Sequence, residues 1–330
     1  APRSRLSLAQ RQRTREPDTS LSTMQWSGLA LAFVALVVPW LIDVPDLSPE
    51  GERMLGVFLL AVVLWVTEAI PLHATAVTII LLEIAFITDQ AFIPTTEGFE
   101  APPFAEFLQI LAHPVLILFL GGFFLADGAA KFELDRSLAR VLLRPFGSSP
   151  KAILLGMMAI TAVLSMFMSN TATTATMMAV MVPVLGSLDP GDRLRAGLAL
   201  SIPFAANVGG IGTPVGKPPH AIALAALTSI GERLTFVTWM AIAVPFVVVI
   251  LLLTWLVLLR LFPSGTDRME LDIDAEFDRS RPAMIYYATA AATIVLWLSE
   301  PLHGIPSTIV GFVPVVVLLA TRVFSGDDLK

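Results

Sequence analysis

Apolar residues run along this chain in long blocks separated by short polar breaks, and the block lengths predict its elements. Blocks at 26–42, 53–70, 74–87, 113–130, 234–262, 282–298 and 307–324 read as membrane-crossing helices, because about 20 apolar residues at 1.5 Å rise cover a ~30 Å hydrocarbon core. A further block at 194–207 breaks and resumes at 218–230. The stretch 150–186 is different. Its apolar parts, 152–168 and 177–185, are each too short to cross alone, and they meet at Ser169-Asn170-Thr171, followed by Ala172-Thr173-Thr174-Ala175-Thr176. Two half-length segments joined at a hydroxyl- and amide-rich tip predict a re-entrant hairpin. Such a break is tolerated at membrane depth only against protein or a water-filled cavity, which makes the tip the first candidate for binding an ion or solute.

Composition agrees with a polytopic all-α membrane protein. The chain is 55% hydrophobic and 15% charged, with a mean hydropathy of +0.78, far from a soluble domain. It has no cysteine, which excludes disulfides and thiol chemistry. The four histidines, at 73, 113, 220 and 303, lack metal-site spacing. Net charge says little here; its distribution says more. With the N-terminus inside and the hairpin entering and leaving on one side, 18 of the 21 Lys and Arg residues fall on the inner side, as expected of cytoplasmic segments. The segment 88–112 on the other side carries Asp89, Glu97, Glu100 and Glu106 and no basic residue. Residues 1–23 carry five Arg and no apolar core that would make a cleavable signal; they read as a cytoplasmic disordered tail, with an organelle transit peptide as the alternative. At 131–144, Leu134, Leu138, Val141 and Leu142 fall on one helical face and Arg136, Arg140 and Arg144 on another, an amphipathic helix suited to the interface. The alternating charges of 263–281 read as a solvated linker.

Two short passages repeat. Leu64-Trp65-Val66-Thr67-Glu68 returns as Leu296-Trp297-Leu298-Ser299-Glu300, and Leu72-His73 as Leu302-His303. The copies close helices an odd number of crossings apart and therefore point in opposite directions, as in inverted-repeat transporters with a site at the repeat interface. Chance likeness of two Trp-containing helix ends is the alternative. The repeat also predicts a second hairpin beyond the last residue, so the chain is expected to be the truncated front portion of a longer protein.

The chemistry gathers at the two breaks. At the hairpin tip one helix ends in free carbonyls, which suit a cation, and the next begins with free N–H groups, which suit an anion. Ser165, Ser169, Asn170 and Thr171 add oxygens for Na⁺ and donors for a carboxylate. The second break, 207–220, holds Gly209, Gly210, Gly212 and Gly216, which permit unwound backbone near a ligand. Pro218-Pro219 then suits a restarted helix. An ordinary kinked helix is the plain alternative. Neither a Walker pattern nor a dinucleotide-binding spacing is present, and nothing points to nucleic acid.

In Trp65-Val66-Thr67-Glu68-Ala69-Ile70-Pro71, Phe119-Leu120-Gly121-Gly122-Phe123, Ser169-Asn170-Thr171-Ala172-Thr173 and 209–220, the chain resembles the divalent anion/sodium symporter family. The resemblance implies an elevator-type, usually homodimeric transporter of dicarboxylates, citrate or other tricarboxylates, or sulfate, commonly driven by Na⁺. It implies that Ser165, Ser169, Asn170 and the loop at Gly209, Gly210 and Gly212 hold Na⁺, and that Asn170 and Thr171 touch the substrate carboxylate. Thr213 and Lys217, in the second break, are further candidate substrate contacts. By residue, the layout becomes a tail at 1–23, scaffold spans at 24–130, an interfacial helix at 131–148, a transport domain at 149–262, a linker at 263–281 and scaffold spans at 282–330. A bacterial inner membrane is the expected location.

One departure matters. The family usually reads Gly-Thr-Pro-Pro-Asn in the broken helix, whereas this chain has Gly216-Lys217-Pro218-Pro219-His220. Lys217 is the one basic residue this topology leaves inside the membrane, where ionisable groups are functional suspects. Either its ammonium replaces a bound Na⁺ or pairs with the anion, giving exchange or proton coupling, or it snorkels to water. His220 is a candidate proton-coupling group or a packed neutral ring. Glu68 and Glu300 are expected to cap or position helices, and Glu83 and Asp127 receive no role. A cation/proton antiporter would want a midspan acid near the breaks. An intramembrane hydrolase would want a base near Ser169. The sequence offers neither; a non-transporting membrane interaction protein stays open.

Overall fold

The computed structural model describes residues 21–42, 44–186, 188–232, 234–266, 268–269, 276–326 and 328, with the backbone alone at 221. The tail at 1–20, Arg233, Lys330 and much of the 263–281 linker lie outside the described residues. What is described is helical, with no strand. Three stretches, Thr23–Leu41, Phe104–Lys131 and Phe236–Leu261, are long and apolar enough to cross a membrane by length and composition. The chain divides into two compact units, Ala1–Ala112 and His113–Lys330.

In the first unit, α1 (Thr23–Leu41) and α2 (Pro49–Thr67) pack along each other, and α3 (Leu72–Ile87) lies against α2. Ser22 and Ser48 accept from Gln25 N and Gly51 N to cap α1 and α2. The α1–α2 contact is close because a Cβ on Gly56 would sit 2.3 Å from the Leu36 carbonyl oxygen. Around it Ala32, Leu36, Val57, Leu60 and Leu64 form a small core. Arg53 donates to the carbonyls of Phe86 and Pro94 at 3.0 and 2.9 Å, tying the end of α3 to the following loop. Within 88–112, read as plain loop, a short helix α4 (Phe104–Gln109) follows Pro103, and the Asp89 carboxylate accepts its first N–H, from Phe104, at 2.8 Å.

The second unit begins with α5 (Pro114–Lys131), for which the ring of His113 acts as cap. The amphipathic segment condenses to α6 (Leu134–Leu143). Its buried residues are Asp135, Ser137, Ala139 and Leu143; of the leucine-valine face, Leu134 and Leu138 are half-buried against the core, while Val141 and Leu142 are exposed. Two antiparallel helices, α7 (Pro150–Ser165) and α8 (Asn170–Gly186), follow, then α9 (Leu194–Gly209), α10 (Pro218–Ser229) and α11 (Phe236–Leu261). The sulfur-rich core between α7, α8 and α9 includes Met157, Met158, Met177, Met181, Leu198 and Ile202.

After α12 (Arg281–Leu298) and a turn, α13 (Glu300–His303), the final predicted helix at 307–324 is split into α14 (Ser307–Val310) and α15 (Phe312–Ala320). Pro314 explains the split: it has no N–H for the Val310 carbonyl, and its ring crowds that oxygen. At the same point Gly311 and Gly121 of α5 approach so closely that a Cβ on Gly121 would lie 2.4 Å from the Gly311 oxygen, the small-residue contact by which membrane helices associate. The repeated Trp-Glu passages differ in setting. Trp297 is fully buried, stacks on Phe236 and donates to the Ser307 carbonyl at 3.0 Å. Trp65 is 46% exposed. Glu300 accepts the Phe236 N–H at 3.1 Å and so positions the start of α11.

Candidate functional site

The hairpin is formed by α7 and α8, whose outer limits match the expected 150–186. Its tip lies slightly earlier than the sequence suggested. The helix is interrupted at 166–169, and Asn170 and Thr171 already belong to the first turn of α8. The reason is Ser169, whose hydroxyl accepts Ala172 N at 3.2 Å while its carbonyl accepts Thr173 N at 2.9 Å, the arrangement of an N-cap. Asn170 and Thr171 thus sit at the positive end of a 17-residue helix, where free N–H groups favour an anion.

The broken helix is α9 and α10 with 210–217 between them. Its glycines serve different contacts. Gly209 lies on the α7 backbone, where a Cβ would be 2.3 Å from Ala162 Cα; Gly212 lies on Met166. Gly210 is the one that faces Asn170: its Cβ would fall 2.5 Å from Asn170 Oδ1 and 3.1 Å from Lys217 Cε. Thr213 is fully buried, donates its hydroxyl to the Met166 carbonyl and accepts Gly216 N at 3.2 Å. By these two bonds Thr213 braces the loop against the tip. His220 stands with its Nδ1 3.2 Å from the Thr213 carbonyl oxygen and its ring against Trp239, which itself donates to the Ile211 carbonyl.

Where the two breaks meet, polar atoms converge. Buried Ser165 Oγ is 2.8 Å from both Asn170 Oδ1 and the Ala206 carbonyl oxygen. The Asn170 amide donates to Asn207 Oδ1 at 3.0 Å. Lys217 is half-buried at the end of the loop and makes no ion pair among the described residues. Ser165, Asn170, Gly210 and Lys217 are therefore brought together, while Ser169 and Thr171 lie on the exposed side of the tip. Asn207 was not singled out by sequence reasoning. Its signal was available: an amide that ends the apolar run of α9 one turn before the glycines. Among the described residues no group of three or more His, Cys, Asp or Glu is placed to hold a metal. The oxygens that do converge are a hydroxyl, an amide and a peptide carbonyl, a neutral hard set that fits a monovalent cation better than a transition metal.

This pairing of a hairpin tip with a glycine-rich helix break coincides with a sequence likeness that runs through it. Residues 62–329 match the citrate transporter family model. The chain belongs to the citrate transporter family. Relatives of this family member include a protein named sodium-dependent dicarboxylate transporter SdcS from Staphylococcus saprophyticus, 31% identical over 77% of this chain and 50% of the relative. Its namesake from Staphylococcus aureus is 29% identical over 84% of this chain and 55% of the relative. A protein described as a membrane protein, from Cupriavidus necator, is 25% identical over 91% and 61%. The chain thus spans about half the length of the SdcS proteins it matches. The family model and the SdcS relatives carry the descriptions of transporters, not enzymes, and together with the apolar helices they make this citrate transporter family member an integral membrane protein.

Proposed function

We propose that this chain works in secondary transport of small di- or tricarboxylate anions, with Na⁺ as the coupling ion. The observation that carries the reading is the meeting of Ser165, Asn170 and Asn207 at 2.8–3.0 Å between the hairpin tip and the broken helix. In this reading Ser165 Oγ, Asn170 Oδ1 and neighbouring backbone carbonyls of 206–212, with Ser169, hold Na⁺, and the N–H groups and side chains of Asn170 and Thr171 receive one carboxylate of the anion. Thr213 keeps loop and tip in register. The relatives named as sodium-dependent dicarboxylate transporters support the choice of ion and substrate; sulfate is the next substrate. A homodimer, a scaffold holding α5 and α12–α15 against a moving hairpin, and a bacterial inner membrane with the N-terminus inside complete the proposal.

A second reading concerns Lys217. Its side chain packs on the same Gly210 that faces Asn170, which puts a tethered cation beside the proposed ion site and makes Na⁺-independent exchange or proton-coupled transport the alternative. Thermal unfolding of the purified protein with succinate, citrate or sulfate, in Na⁺ or in choline, distinguishes the two. Stabilisation by succinate or citrate only in Na⁺ supports symport. Equal stabilisation in choline supports the Lys217 reading. No response to any anion contradicts both.

A further inference from the structure

Away from the hairpin tip, a cavity of about 680 Å³ opens where α7 begins and α11 ends. Leu194, Leu256 and Leu259 form its apolar wall, Lys151 and Arg260 its charged one, and among the described residues no acidic side chain lines it. Both cations are exposed and make no ion pair among the described residues. Ser149 also lines the cavity, and its side chain makes no capping bond to α7, so the positive end of that 16-residue helix adds to the two side-chain charges. The site is built rather than incidental. Trp255 Nε1 donates to the Lys151 carbonyl at 3.0 Å and ties the two helix ends together. The loop at 263–266 closes one side, held by Asp192, whose carboxylate accepts Thr266 Oγ1 at 3.1 Å and Gly265 N at 3.3 Å.

The chemistry is split along its length. One end offers two cations for an anion; from the other, the exposed apolar surface of α11 continues through Leu256, Val257 and Leu261, each more than half exposed. A tryptophan at the junction marks the level where membrane proteins meet lipid headgroups, and basic pockets between helices at that level select anionic lipids. We infer that this cavity binds an anionic phospholipid, with its phosphate at Lys151 and Arg260 and its upper acyl chain along Leu256 and Leu259. The inference is independent of the anion site at the hairpin tip. A free phosphate shares the headgroup chemistry but makes no use of the leucine wall.

Native mass spectrometry of the delipidated full chain, titrated with phosphatidylglycerol, phosphatidylcholine or inorganic phosphate, tests it. Phosphatidylglycerol should bind stoichiometrically and phosphatidylcholine weakly. The double variant K151Q/R260Q should weaken phosphatidylglycerol binding about thirtyfold, given two lost charges near a lipid surface. K151R/R260K, which keeps the charges, should retain binding, and R144Q/R279Q, which removes two charges elsewhere, should not change it. Unchanged affinity in K151Q/R260Q overturns the proposal, as does an equal loss in R144Q/R279Q. Binding of inorganic phosphate as tight as that of phosphatidylglycerol overturns it too, and leaves an anion site only.

Discussion

Asn170 stands at the junction of three roles, since its oxygen is 2.8 Å from the Ser165 hydroxyl, its amide donates to Asn207 at 3.0 Å, and its backbone opens α8. N170A should abolish succinate- and citrate-dependent thermal stabilisation while leaving the melting temperature without anion little changed, because the side chain is only half-buried. The glycines sharpen the point. A Cβ on Gly210 would meet Asn170 Oδ1 at 2.5 Å, whereas one on Gly122 would meet Val215 at an ordinary 3.5 Å. G210A should therefore remove anion binding, measured by isothermal titration, and G122A should preserve it; equal binding in both variants contradicts the geometry. Part of this was legible in the sequence. Small polar residues in an apolar run mark the tip, because burying them is costly unless they are bonded. The differing tasks of Gly209, Gly210 and Gly212 were not legible, because each is set by what another helix places opposite. The bracing bond of Thr213 was not legible for the same reason: its hydroxyl donates to a carbonyl 47 residues earlier.

At the scale of elements, hydrophobic block length gave the hairpin and the broken helix to within a few residues, since both ends are fixed by local chemistry: Pro150 and Ser169 for one, Gly209 and Pro218 for the other. It missed α4, whose first N–H is met by the Asp89 carboxylate 15 residues earlier, and the split between α14 and α15, where Pro314 acts inside an apolar run. The α5–α14 contact offers a stability test. G121A drives a methyl into the Gly311 backbone, and overpacking of this kind costs about 1–3 kcal/mol, which should appear as a lowered melting temperature in detergent. Beyond the end of α15, the Lys131 ammonium 2.6 Å away and the hydroxyl and N–H of Ser325 hold the Asp328 carboxyl well below the usual carboxylate range. A depressed folded value contributes stability above the ordinary pKa of 3.8 that is lost as pH falls toward the depressed one. The gap in melting temperature between the native chain and D328N should stay constant from neutral pH to about 5 and narrow only below the ordinary carboxylate value.

For the whole molecule, charge distribution carries more than fold. The bias of Lys and Arg to one side predicts that 97 and 325 face opposite sides of the membrane. Because the chain has no cysteine, single Cys variants at these positions report it directly: a membrane-impermeant maleimide should label E97C in intact cells and S325C only after lysis, and the reverse pattern contradicts the orientation. The repeat of the Trp-Glu passage was legible as sequence, yet its two copies meet different surroundings, one tryptophan buried and one half exposed. Such surroundings are decided by packing partners that no local pattern names. The central claim remains that the tip of α7–α8 and the break between α9 and α10 together form one anion site. Equilibrium binding of radiolabelled succinate or citrate to the purified chain in Na⁺, compared with N170A, tests it most directly. The account predicts saturable binding in the native chain and none in N170A; equal binding in both would contradict it.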